Sequence, residues 1–451
     1  MSHSPHRQPS LARLGLSLVA VMALAVAGAE AFFLPSGAEV HNTGDPQVRV
    51  DSGGGVHLVY PLVAAAGAVY GYCSADCSGP EQVRTVTFPT GELGAVHTAL
   101  LALDGHDVPH VLISTRDAVV YGACEGPDCG DGAYWRTNVV YRHDGNWELT
   151  GDAFAIDPRG GPTFLMHAYQ AYLGLFGPEP GTRLFACAGG CLDAGAWRSS
   201  QVSEQSWLEP TLRFDASGAM HVAAVIPVEG AELVGYFRCD AGCLDGDPAN
   251  WPGVGVAYAF SDRYVEEVYP AVSLALTRAG GVRLAYLGLD GDQRYLGYYE
   301  CDADCTDQSG ASWALMALIY GEGADELGDG LDLALDAQDR PRLAYTVQGN
   351  VLVAYCDVDC AGREGRDDWN LVEGELSGEI PADTVILEHN CTVGAWFLRQ
   401  PALAIGADGL PVLAYRAEDI SGGVALPDPL RPACVAGVDM SLTRFTRLTS
   451  Y

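Results

Sequence analysis

Six close cysteine pairs recur along this 451-residue chain, each led by an aromatic residue: Cys73/Cys77, Cys124/Cys129, Cys187/Cys191, Cys239/Cys243, Cys301/Cys305 and Cys356/Cys360. The first cysteines fall between 51 and 63 residues apart. Self-similarity at this period, with strand-like segments and no helical ones, restricts the chain to an array of small sheets, and a propeller of four-stranded blades is the closed form of such an array.

Turns count the units more fully than cysteines do. Aspartate- and glycine-rich turns join a first strand to a second at 51–57, 104–110, 157–163, 215–221, 277–283, 336–342 and 406–412, which makes seven units. Asp and Gly supply side-chain-capped turns and left-handed backbone, and the flanking runs are short and half apolar, as hairpin strands require. A third strand ends at each cysteine pair, and a fourth begins at Trp135, Trp197, Trp251, Trp313 or Trp369. The pairs therefore close the loop between strands three and four, and regular placement of the tryptophans points to packing between blades.

The expected fold is all-β, a seven-bladed propeller of four-stranded antiparallel blades stapled by hairpin-loop disulfides. The blades are placed near 44–91, 92–140, 148–203, 206–260, 266–320, 329–375 and 397–451. The seventh unit lacks a cysteine pair, and its third strand is expected near Ser441–Phe445, after an insertion over 418–435. That insertion holds Cys434, and the connection before the blade holds Cys391, so a Cys391–Cys434 bridge is predicted. A strand near Phe32–His41 is expected to close the ring, removing an exposed sheet edge.

Cellular address follows from the N-terminus. Arg7 and Arg13 precede an apolar run from Leu14 to Ala27 and an Ala29-Glu30-Ala31 cleavage pattern, which reads as a signal peptide over 1–31 and a single mature domain over 32–451. The run of 14 residues is short of the roughly 20 that span a bilayer, although an uncleaved signal kept as an anchor is the alternative. An oxidising compartment, secreted or periplasmic, favours disulfides; zinc is the competing reading, but each C-x3-C unit alone is half a site. The net charge is -33, and every basic residue is arginine. Such a field disfavours nucleic acid and anionic membrane surfaces and leaves neutral glycans, cations or an extracellular protein as partners, with the chain expected to be a monomer.

In a propeller, ligands sit where the loops leading into the blades meet the central channel. Two regions there exceed the repeat. One joins Arg142, His143 and Trp147 to the excursion from His167 through Tyr169 and Tyr172, and these six residues are the candidate ligand-binding set. The other is the pair of insertions around units six and seven. His57, His110 and His221 hold equivalent turn positions and belong to the repeat, whereas His143 and His167 do not.

Acids also gather near the blade starts, among them Asp45, Glu92, Asp152, Glu209, Asp329 and Asp332. A ring of them would suit a calcium ion, but 58 acids in 451 residues make an acid at most blade starts a matter of chance. The nearest calcium-loop pattern, Asp290-Gly-Asp292-Gln-Arg294, puts arginine where an oxygen ligand belongs, so no cofactor and no metal are expected.

The unit of strand, Asp/Gly turn, strand, aromatic strand, cysteine hairpin and tryptophan strand resembles the sialidase-like (BNR-type) class of secreted bacterial propellers. The cysteine loop and tryptophan stand where that class carries its Asp-box hairpin. The resemblance implies three arginines holding a carboxylate, for which Arg49, Arg213 and Arg399 lie in the right neighbourhood, with a tyrosine-carboxylate nucleophile and an acid. Two functions follow: an exported lectin-like or scaffold propeller with no catalytic motif, or a sialidase-like glycoside hydrolase acting at the channel mouth.

Overall fold

The computed structural model describes residues 30–35, 42–63, 65–143, 145–168, 181–228, 231–260, 271–290, 293–309, 312–320, 327–362, 368–381, 386–387, 391–392, 394–421, 424–425 and 440–451. These form seven antiparallel blades around one axis and a separate small sheet of Ile386–Leu387, Cys391–Thr392 and Val424–Ala425, and no helix among the described residues is long and apolar enough to cross a membrane. The first blade orders its strands as Gln47–Val50, Val56–Leu62, Gly67–Cys73 and Arg84–Pro89, from the axis outward. The same order recurs in the later blades, except that in the third both Trp147–Glu148 and Phe154–Ile156 pair with Pro162–Ala168; the seventh runs Trp396–Ile405, Pro411–Asp419, Ser441–Arg447 and finally Glu30–Phe33. Glu30 pairs with Arg447 and Phe33 with Arg444, so the N-terminal strand closes the ring and covers the last edge. This strand starts two residues before the expected Phe32, over the Glu30-Ala31 of the cleavage pattern.

Cores form between blades because each sheet is apolar on both faces. Leu112, Phe164 and Val222, from the second, third and fourth blades, belong to one buried cluster. One repeated contact fixes this stacking at the rim. The indole nitrogen of Trp135 donates to the Cys129 carbonyl at 2.7 Å in its own disulfide loop, while its ring packs at 4.8 Å on Tyr70 of the preceding blade. Trp197 meets Tyr121, Trp313 meets Tyr236 and Trp369 meets Tyr298 in the same way. The cysteine loops thus hold a carbonyl for the tryptophan that clips one blade to the next.

Among the described residues six disulfides are formed, Cys73–Cys77, Cys124–Cys129, Cys187–Cys191, Cys239–Cys243, Cys301–Cys305 and Cys356–Cys360. Closing a five-residue loop is worth about 2 kcal/mol each in the chain-entropy model. The expected Cys391–Cys434 bridge involves Cys434, which lies outside the described residues.

The repeat histidines are held in a second recurring unit. His57 faces Asp51 of its turn through Nε2 at 3.2 Å and Tyr70 Oη through Nδ1 at 2.7 Å. His221 does the same between Asp215 and Tyr236, whereas His110 bonds Tyr121 through Nδ1 but stands 3.7 Å from Asp104, beyond hydrogen-bond distance. Each Asp-His-Tyr chain ties the turn to the third strand, and that third-strand tyrosine is the one on which the next tryptophan packs.

Candidate functional site

Innermost strands of neighbouring blades share no backbone ladder, so side chains must bridge them, and here polar ones do. Asp152, leading into the third blade, accepts from Arg49 Nη2 of the first blade at 2.7 and 2.8 Å, from Gln47 Nε2 at 3.0 Å and from Arg213 of the fourth. The Gln47 carbonyl oxygen takes the Leu101 amide of the second blade at 2.7 Å. Asp332 of the sixth blade accepts from Ser273 of the fifth at 2.8 Å and from the Leu403 amide of the seventh at 2.9 Å. The two guanidiniums beside Asp152 hold its carboxyl below the usual carboxylate range, against the desolvation that would raise it. Asp332 has no guanidinium bonded to it, and enclosure raises its carboxyl instead.

This belt divides the channel. Above it, on the side of the loops leading into the blades, lies a cavity of about 350 Å³ to which every blade contributes. Asp45, Glu148, Asp152, Glu209 and Asp332 face it with the hydroxyls of Thr98, Thr150, Thr211 and Ser273, the amides of Gln47 and Gln400, and Arg49. The first strands of the second, fourth and seventh blades are bulged where they reach this space, and the bulged residues His97, Glu209 and Gln400 line it. A bulge re-aims a side chain off the regular alternation of a strand.

Two of these bulges are strained. Glu209 stands at φ 47 and Gln400 at φ 50, the left-handed region that a residue with a Cβ seldom adopts and that costs of order 1 to 3 kcal/mol. Glycines make room for both. A Cβ on Gly151 would lie 2.6 Å from the Glu209 carbonyl carbon, and one on Gly330 would lie 2.7 Å from the Gln400 Cα. Strain that the surroundings hold in place gathers at ligand sites. Enclosure, with the like charges of Asp45 and Glu148 nearby, pushes the Glu209 carboxyl up to about 7.

The sialidase-like arginine arrangement is met only in part. Arg49 and Arg213 do converge, but the carboxylate between them is the protein's own Asp152. Arg399 pairs with Asp329 and with Glu418 at 2.8 Å, beside Arg416, which binds Asp45 at 2.9 Å. Among the described residues no tyrosine lines the cavity. Of the acids read from the sequence, Asp45, Asp152, Glu209 and Asp332 meet at the mouth, whereas Glu92 does not line it. Among the described residues no group of three or more His, Cys, Asp or Glu is arranged to hold a metal ion.

Of the aromatic candidates, Trp147 and His167 lie on the third blade beside this mouth. Trp147 and Glu148 form a short strand paired with Ala168 and His167, so the two long segments do meet. Arg183 stacks over the Trp147 ring at 4.3 Å, and Tyr141 packs on Phe185 at 4.6 Å and on His143 at 5.9 Å. His167 is buried 3.8 Å from Glu148, and burial lowers its imidazole to about 4. Arg142 is exposed at the end of the second blade's outer strand, while Tyr169 and Tyr172 lie outside the described residues. Glu148 joins the two regions, and the sequence had not singled it out.

Neither a protein-family model nor a curated protein sequence matches this chain. Solved structures to which it is similar include the polysaccharide lyase Uly1, at 11% identity and TM-score 0.49 over 93% of this chain and 92% of that one. The NanB sialidase from Streptococcus pneumoniae is similar at 8% identity and TM-score 0.42, over 93% and 70%. An alpha-L-arabinofuranosidase from Lactobacillus brevis is similar at 13% identity and TM-score 0.36, over 63% and 92%.

Proposed function

We propose that this protein is an exported binding propeller that takes a neutral or amino sugar of a glycan at the upper mouth of its central channel. The observation that carries this is the cavity itself, where carboxylates, hydroxyls and amides from all seven blades face one space. A sugar offers many O–H donors, and ionised carboxylates are their strongest acceptors. An anionic sugar is disfavoured, because among the described residues five acids line this cavity against one arginine. The remainder of the glycan would extend over the adjoining second- and third-blade surface carrying Arg142, His143 and Trp147, reached through Glu148. Six disulfides and the signal-like N-terminus support export.

A glycoside hydrolase is the second reading, favoured by one observation. A carboxyl near pKa 7 beside other carboxylates is the environment of a general acid, which gives Glu209 that role. A glycan array together with a fluorogenic glycoside screen separates the two. Binding of neutral or amino glycans without turnover supports the first; turnover that is lost in Glu209→Gln supports the second. Silence in both overturns the glycan assignment in favour of an extracellular protein partner.

A further inference from the structure

Below the Asp152 belt the channel changes character. Two residues before each turn, five blades carry alanine, from Ala102 in the second to Ala404 in the seventh, and the other two carry Arg49 and Arg213. All seven of these residues line a second cavity, of about 520 Å³, within the roughly 300–1,000 Å³ of small-ligand sites. The next residue along each strand lines it as well and is large and apolar in every blade, with Phe214, Leu335 and Ile405 among them. All seven of these apolar side chains are only partly buried. A ring of half-exposed hydrocarbon around a hole is surface that water covers at a cost.

The floor turns its guanidiniums to this side. Arg213 lines the lower cavity and not the upper, whereas Asp152 lines the upper and not the lower. Asp332 reaches both, but its oxygens are taken by Ser273 Oγ and the Leu333 and Leu403 amides. Each guanidinium has five N–H donors. Those of Arg49 and Arg213 are spent on Asp152 and on the carbonyls of Val48 and Leu212, with donors left over on both. Alanine at the other five positions keeps the space in front of them open.

We propose that the lower end of the channel is a separate binding site for a small amphipathic monoanion, its hydrocarbon body against the apolar ring and its carboxylate on Arg49 and Arg213. The net charge of -33 slows an anion's approach but acts over a Debye length of about 8 Å at physiological salt, whereas the floor acts at contact. The site lies on the other side of the Asp152 belt from the glycan site, with which it shares Arg49 and Asp332.

Isothermal titration of the full chain with decanoate and with decanol, in 0.15 M salt as a rough match to physiological screening, tests this. Decanoate is expected to bind at least about tenfold more tightly than decanol, a difference near 1.4 kcal/mol. Arg213→Gln should remove most of that preference while leaving decanol unchanged, and Ala404→Leu should weaken both. Because the decanoate-to-decanol ratio is read on the unaltered protein, a variant that fails to fold does not rescue the proposal. Equal affinities, or no decanoate binding, would overturn it.

Discussion

Replacing Asp152 by asparagine keeps the shape of the belt and removes its anion. Two guanidiniums from the first and fourth blades would then face a neutral amide, with side chains 22% and 27% exposed around a carboxyl 14% exposed. Removing one partner of a largely buried ion pair costs about 3 to 5 kcal/mol, and the partial exposure here argues for the lower figure, about 3 kcal/mol. At an unfolding entropy near 2.1 cal/mol/K per residue, a chain of this length loses roughly 3 °C of Tm. Scanning calorimetry on the purified protein reads such a shift directly. The triple variant Asp152→Asn, Arg49→Gln, Arg213→Gln separates charge from packing, because it leaves no uncompensated guanidinium and is expected to recover most of the loss. An Asp152→Asn protein that melts with the wild type, or a triple variant no better than the single one, would refute the view that this carboxylate neutralises the belt.

Other outcomes follow from the same structure. His57, His110, His221 and His167 are all held below the usual imidazole range by burial, His167 at about 4. The unfolded chain therefore takes up protons first, so stability is full above pH 6.5 and falls as pH drops towards 4, measurable as a declining Tm. Glu209 acts in the opposite sense: its raised carboxyl near 7 loses stability as pH climbs from 4.5 to 7, so Glu209→Gln should raise Tm at pH 8 and change little at pH 4.5. Serine at both Cys239 and Cys243 should cost about 2 kcal/mol in urea unfolding without loss of the propeller signature in circular dichroism. Non-reducing peptide mapping should recover all six local bridges, and free thiols at these positions would contradict the stapled blade.

The blades were legible because their information is local. A turn such as 215–221 and the Cys239/Cys243 loop state their own conformation within a few residues, and the repeat multiplies the signal. The tryptophan spacing likewise announced packing between blades, since Trp313 must meet the same surface of its neighbour as Trp369 does. The site was legible only in part. Asp152 meets Arg49 across 103 residues and Arg213 across 61, and nothing in either segment names the other. The acids Asp45, Glu209 and Asp332 were visible as members of a crowd, but the bulges that aim His97, Glu209 and Gln400 into the channel depend on register. One signal was present and unused. Aligning the units on their turns shows alanine two positions before the turn in five blades and arginine in two, which marks the ring facing the axis.

The central claim is that the glycan is read at the upper channel mouth. Ala271 lines that cavity, and Ala271→Trp would fill it from the fifth blade without touching the aromatic cluster at Trp147. Affinity for the best array glycan should fall at least about tenfold, 1.4 kcal/mol, with Tm preserved, while Arg142→Ala should lower it by less. Unchanged affinity in the filled variant would contradict the account and move recognition to the blade surface.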